Sequence, residues 1–242
     1  AEAAVTYEYR LAGDFGRAYN EVVARANEVC DTADAALESH SFVDGLGRER
    51  MALAEADTSH GDGGNWVRAK LVEFDAKGGA MRAHQPDFRA TDAFDLTVPT
   101  PLRFSSTRYD AFGREVESVA TDRVSTSTTR YHALSKDVYD PNDNFDDPLN
   151  THFDTPTTFV TDGQDRLLSI PERNVVAGAL ELYTTSFTYS PLNSLLTIER
   201  CHGARCVNRS LVYDSLGRRT ENHDPDAGLW MYFYTDASDL NA

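Results

Sequence analysis

The chain has 242 residues, 39 of them acidic and 23 basic, for a formal net charge of −16. That balance speaks against nucleic acid as a partner, because binding it takes clustered Lys and Arg to release counterions. It suits a soluble, exported protein, and no apolar run of about 18 residues is present to form a membrane-spanning helix.

In chain order, residues 1–40 read as an irregular or partly helical N-terminal segment, with YRLAGDFGRA as a degenerate first repeat. The stretch GRAYNEVVARANEVCDTADAALESH carries Tyr19, Val22, Val23, Ala26, Val29 and Ala33 near helical spacing. A helix fits it, and so do two strands over 19–23 and 26–30. The chain opens without Met or a basic-then-apolar signal and stops just after a turn, so it reads as a fragment of a longer array.

Residues 41–134 and 159–242 are repetitive. FVDGLGR places Asp44 three residues before Gly47, with Arg48 next. RYDAFGR does the same with Tyr109, Asp110, Gly113 and Arg114, and VYDSLGR with Tyr213, Asp214, Gly217 and Arg218. Asp suits the first position of a type I turn because its carboxylate caps nearby N–H groups, and Gly accepts the positive φ that closes it. Such a turn is a hairpin connection with a G1 bulge. Bulky residues such as Phe42-Val43 and Val212-Tyr213 before the turn suit a strand, and the apolar residue inside it (Leu46, Phe112, Leu216) can fold back on that strand. Weaker copies start at Asp75 with Gly78, at Asp162 with Asp165 in the Gly role, at Ser190 with Asn193, and at Asp236 with Asp239. A recurrence at about 20–50 residues is the signature of repeat architectures.

Residues 135–158 read as an Asp/Pro-rich insertion. In YDPNDNFDDPLNTHFD, Asp140, Asn142 and Asn144 alternate like the first ligands of a calcium loop, with Asp146 or Asp147 positioned to join. An EF-hand needs Gly sixth and Glu twelfth, where this stretch has Phe145 and Thr151. An irregular Ca²⁺ loop and a solvated loop broken by Pro141 and Pro148 both remain. No other cofactor is expected.

Cys201 and Cys206 flank HGAR. If the strands on either side pair, the two face each other across a hairpin. At a non-hydrogen-bonded position their Cα atoms would then be about 4.5 Å apart, within disulfide reach. Export favours the bond; two free thiols are the alternative. A zinc site would need further ligands such as His202 and His223, at a spacing unlike a zinc knuckle.

YDAFGR and YDSLGR, with partial matches in VDGLGR and FDAKGG and the run HDPDAGLWMYFYTDASDL, resemble the YD repeat, also called the RHS repeat, of Tc-toxin-like and teneurin-like shells. The likeness covers roughly residues 40 to 240. It implies an all-β fold of antiparallel hairpins in a twisted, curved sheet, one segment of a spiralling shell. It further implies a structural role in a secreted toxin, with neighbouring repeats and an encapsulated C-terminal payload as partners. Cell-surface relatives imply an alternative, an adhesion or carbohydrate-binding module that holds glycan on Trp66 or Trp230, though both also fit buried packing. Secreted or cell-surface localisation follows either way. Asp and Arg recur at one turn position, whereas catalysis needs one asymmetric site. With no nucleophile elbow, His-Glu-x-x-His or Walker loop in the sequence, a non-enzymatic protein is expected.

Overall fold

Burial alternates with a two-residue period over Asn20–Val23 and Ala36–Val43, the mark of strands with one face turned inward. A computed structural model describes residues 5–15, 19–27, 36–101, 103–147, 149–235 and 240–241. The chain divides into two compact units, Ala1–Ser125 and Thr126–Ala242. Among the described residues the fold is all-β and antiparallel; the one α-helical element is a four-residue turn, Ala12–Phe15.

The first unit holds β1 (Val5–Arg10), β2 (Asn20–Asn27), β3 (Ala36–Val43), β4 (Glu49–Glu55), β5 (Trp66–Phe74), β6 (Ala80–His84), β7 (Asp87–Arg89), β8 (Phe104–Tyr109) and β9 (Glu115–Val119). Each of β1 to β4 pairs with the next. The long β5 divides its far edge, pairing its first half with β7 and its last residues with β6. β6 then pairs with β8, and β8 with β9.

Of the two readings of 16–40, helix or two strands, the helix does not form where the structure describes it. Residues 20–27 are one strand, continuous through Ala24 and Arg25 rather than broken there, and the next strand starts at Ala36. Val29, Cys30 and Ala33 lie outside the described residues. Tertiary pairing overrides the helical spacing. Strand β2 is paired on both edges, and Glu21 and Val23 alternate inward as a buried set.

That inward face is the core. Val23, Phe42, Met51, Leu53 and Leu71 are nearly inaccessible, and the register sets Phe42 opposite Met51 and Met51 opposite Leu71. Tyr19, Trp66 and Phe94 pack over the centre of this cluster. Three polar side chains share the interior: His40 and Glu21, bonded to each other through His40 Nδ1 at 2.7 Å, and Arg68.

The second unit is a meander of β10 (Thr126–Tyr131), β11 (Ser135–Tyr139), β12 (Thr157–Thr161), β13 (Leu167–Val176), β14 (Ala179–Tyr189), β15 (Leu195–His202), β16 (Arg205–Tyr213), β17 (Arg219–Asp224) and β18 (Gly228–Met231), each paired to the next. A small hairpin, β19 (Phe233–Tyr234) and β20 (Leu240–Asn241), follows. The segment expected as an insertion over 135–158 is thus a strand, β11, and then a loop. Among the described residues no helix is long and apolar enough to cross a membrane.

Candidate functional site

The feature that recurs is a corner. At Asp44, Asp110, Asp162 and Asp214, one carboxylate oxygen accepts from the backbone N–H groups two and four residues on, at 2.8–3.0 Å. The other oxygen accepts from Nε of Arg48, Arg114, Arg166 or Arg218 at 2.7–2.8 Å. Each Asp N–H also donates to the carbonyl of its arginine at 2.9 Å. The fourth position is left-handed, with φ of 79° at Gly47, 80° at Gly113, 61° at Asp165 and 78° at Gly217. A register shift precedes each corner, between Phe42 and Val43, Arg108 and Tyr109, Val160 and Thr161, and Val212 and Tyr213. Four segments with different neighbours thus share one bulged hairpin turn, built by the same residue types.

The weaker copies keep the backbone and lose the ion pair. Asp75 accepts from Lys77 and Gly79 N–H at 2.9 and 2.8 Å, with Gly78 at φ 94°. Ser190 Oγ accepts from Leu192 and Ser194 at 3.2 and 3.1 Å, with Asn193 at φ 68°. The corner expected at Asp236 and Asp239 lies outside the described residues. The apolar residues inside the turns do not fold back: Leu46, Phe112 and Leu216 are 72–85% exposed. The corner carbonyls and N–H groups close among themselves, leaving those side chains pointing out.

Asp is a compromise at a left-handed position and Gly is not. Replacing Asp165 or Asn193 by Gly is therefore expected to stabilise the chain by about 0.5–1 kcal/mol, and Gly217→Ala to destabilise it by about 1–2 kcal/mol. Urea denaturation of the three variants reads both signs at once.

The arginine fork also acts on charge. The Arg48 guanidinium and the turn N–H groups hold the Asp44 carboxyl down at about 2. Asp162 is lowered chiefly by the Arg166 side chain, and Asp214 chiefly by the Arg218 N–H. At Asp110 desolvation pushes upward, and the Arg114 N–H and guanidinium outweigh it.

A second element links one corner to the next. At three of the four corners the arginine lies over a later aromatic ring: Arg48 over Phe74 at 4.5 Å and Arg166 over Tyr189 at 5.2 Å, each ring just before the next turn, and Arg218 over Tyr234 at 4.8 Å; at the fourth, Arg114 lies over Phe112 of its own turn at 5.2 Å. The tyrosine hydroxyl then donates to the carbonyl five residues past the earlier corner residue: Tyr109 to Ala80 at 3.2 Å, Tyr189 to Leu167 at 3.0 Å, and Tyr234 to Arg219 at 2.7 Å. At Tyr109-Asp110 both halves of the pair are used, because Tyr109 grips the previous turn while Asp110 builds its own. At the Asp75 corner there is no arginine, and a Cβ on Gly79 would come 2.7 Å from Tyr109 Cε2, so the ring occupies that space. Beside the Ser190 corner, where Ser194 replaces arginine, Tyr213 lines a cavity of about 620 Å³.

An arginine over an aromatic ring contributes about 0.5–1 kcal/mol at exposed sites, and a neutral hydrogen bond about 0.5–1.5 kcal/mol. Tyr189→Phe is expected to lose the second amount only. A double-mutant cycle of Arg166→Ala with Tyr189→Leu is expected to show favourable coupling of the first size.

Sequence reading missed Arg166, although it stands four residues after Asp162 as the other arginines do after theirs. It also missed that Tyr139-Asp140 begins a carboxylate-capped turn, of a different kind from the four corners. Asp140 Oδ1 accepts from Asn142 and Asp143 N–H at 2.7 and 2.9 Å, and Arg130 stacks on Tyr139 at 4.5 Å. Of the residues considered for Ca²⁺, Asn144 donates through Nδ2 to the Thr126 and Asp140 carbonyls, and Asp147 accepts from Leu149 N–H. Asn142 lines a cavity of about 480 Å³ with Asp140 and Asp143. The loop side chains are thus largely engaged in closing their own backbone.

One cluster imitates catalytic machinery. Asp57, Ser59 and His60 lie together, but Asp57 Oδ2 at 2.5 Å and Ser59 Oγ at 3.2 Å both meet the same ring nitrogen, Nδ1 of His60. A relay needs base and orienting carboxylate on opposite nitrogens. The Asp57 carboxylate instead caps a short 3₁₀ turn by accepting from Ser59 and His60 N–H.

Cys201 and Cys206 face each other in register on β15 and β16, joined by a disulfide with Cα atoms 4.1 Å apart. His202 points to the opposite face, stacked on Tyr183 at 4.2 Å, and His223 bonds Glu221 at 2.8 Å. The four zinc ligands considered from sequence are not brought together.

No protein-family model matches the chain, and no curated protein does. Among solved structures, the crystal structure of TcdB2-TccC3 aligns over 98% of this chain with a TM-score of 0.78 at 17% identity. The Photorhabdus luminescens Tc holotoxin pore aligns over 89% with a TM-score of 0.61 at 15% identity. The chain spans 13% of the length of each of those chains, and at that identity it has the fold of a stretch of these Tc toxin components.

Proposed function

We propose that the chain is one stretch of wall in the YD/RHS-repeat shell of a secreted toxin, which in the full-length protein encloses a C-terminal payload. The observation that carries this reading is the repeated corner, two copies of which have both their arginine and a following carbonyl gripped by a later tyrosine, Tyr189 and Tyr234. A unit that closes its own turn and clasps its neighbour can be added indefinitely, and each addition extends a surface rather than completing a reactive site. The fold shared with the Tc toxin structures supports the same reading. Neighbouring repeats and the payload are then its partners, and its role is structural rather than enzymatic. Protease challenge of the full-length protein tests it. The C-terminal region should resist digestion while the repeats are folded and be cut once they are unfolded. Equal cleavage in both states would contradict enclosure.

One observation favours an adhesive second reading. Trp230 on β18 is 55% exposed, with Leu229 and Met231 comparably open beside it. Trp66 instead packs edge-on against His40 at 4.9 Å. Saturable binding to a glycan array that is lost in Trp230→Ala would favour the carbohydrate-binding module. An array without binding leaves the shell reading alone.

A further inference from the structure

We propose that reduction of the Cys201–Cys206 disulfide creates a binding site for a thiophilic divalent cation such as zinc, with Glu199 as third ligand. Strand periodicity assembles the set. Glu199 and Cys201 lie two residues apart on β15, hence on one face, and the register sets Cys206 opposite Cys201 and Asn208 opposite Glu199. One ligand atom from each of Glu199, Cys201 and Cys206 lies within 4.8 Å of the others, and among the described residues no other His, Cys, Asp or Glu group of three does so.

Glu199 is otherwise uncommitted. Its cross-strand neighbours are Ser186 and Asn208, and among the described residues no ion pair or hydrogen bond engages its carboxylate. Glu199 and Cys206 are exposed and Cys201 half-buried, so the group is open to solvent. The Cα atoms stand 4.1 Å apart on a paired hairpin. Side-chain rotation is enough to separate the sulfurs to about 3.7 Å, the distance that tetrahedral zinc sets at a Zn–S bond of about 2.3 Å. A net charge of −16 favours a cation anywhere on this surface.

The chemistry balances in two steps. A dithiol supplies two electrons and two protons, the S–S bond breaks to two thiols, and the dithiol leaves as its own disulfide. The metal ion then replaces both thiol protons, which pass to solvent, and is held by two thiolates, the Glu199 carboxylate and a water in the fourth position. Disulfide and metal exclude one another: when a small-molecule disulfide takes two electrons from the two thiolates and two protons from solvent, leaving as two thiols, the Cys201–Cys206 bond re-forms and the ion is expelled.

The test uses the whole chain carrying Cys30→Ser, so that the third cysteine contributes nothing. The protein is reduced with a dithiol, desalted under nitrogen and titrated with Co²⁺, a spectroscopic stand-in for zinc. The expected result is a thiolate-to-cobalt charge-transfer band saturating at one ion per chain and bleached by zinc. It should be absent from the unreduced protein and from Cys206→Ser, and weakened about tenfold or more, equivalent to about 1.4 kcal/mol, in Glu199→Gln. No band in the reduced chain, unchanged affinity in Glu199→Gln, or loss of the β circular-dichroism signal on reduction alone would each overturn the proposal.

Discussion

Arg68→Ala is expected to lower the stability of the first unit by about 3–5 kcal/mol, the range for removing one partner of a buried ion pair. Arg68 sits on β5 and is 1% exposed. Its Nε and Nη2 donate to the two Asp87 oxygens at 2.7 and 2.9 Å, and its Nη1 donates to the Asp95 and Thr97 carbonyls at 2.8 and 3.0 Å. One guanidinium thus ties β7 and the segment after it to the sheet. Alanine would leave two carbonyls without their donor and the nearly buried Asp87 carboxylate with only the more distant Arg89, at 3.6 Å. Lysine keeps the charge but not the planar fork, so Arg68→Lys should recover only a fraction of the loss. The pair Arg68→Met with Asp87→Leu should recover most of it, because no charge is then stranded. Urea denaturation followed by circular dichroism ranks the variants.

Phe42→Ala is expected to cost a similar about 3–5 kcal/mol, from lost transfer energy and the cavity left behind. Phe42 is 1% exposed and packs with Met51 and Leu53. Tyr19 meets it edge-on at 5.5 Å and Phe94 lies 5.5 Å away. It also immediately precedes the bulge that opens the Asp44 corner, so the same residue fixes the core and the entry to the turn. The contrast is Phe112, 85% exposed inside the Asp110 corner. Among the described residues the Phe112 ring meets only the Arg114 guanidinium of its own turn, 5.2 Å from the ring centre, so Phe112→Ala should cost no more than about 1 kcal/mol. Equal losses at the two positions would mean that the turn aromatics carry packing the structure does not give them.

The corners were legible because everything they need lies within five residues: a capping carboxylate, a left-handed residue and the arginine that closes on the same carboxylate. The Cys201–Cys206 register was legible for the same reason, since four intervening residues fix the hairpin. What escaped depends on partners at variable distance. Arg48 reaches Phe74 and Arg166 reaches Tyr189 across different loop lengths, so no constant spacing announces the clasp. Residues 20–27 look helical by spacing, and only their pairing with β1 and β3 decides otherwise. Tyr139-Asp140 was hidden by Pro141 and the loop after it. Glu199 was overlooked in favour of His202 because adjacency in sequence suggests a ligand that strand alternation sends to the opposite face.

The most direct test of a scaffold built from equivalent corners replaces their aspartates one at a time: Asp44→Ala, Asp110→Ala, Asp162→Ala and Asp214→Ala, each melted in urea at pH 7 and again at decreasing pH. Native carboxyls held below the usual carboxylate range stabilise above the unfolded value of about 3.9, and that contribution fades as pH falls through the native value, about 2 for Asp44. All four variants should therefore be less stable than the parent at pH 7, by similar amounts, with the gap narrowing below about pH 4. A loss confined to one aspartate with the other three silent, or a gap indifferent to pH, would contradict it.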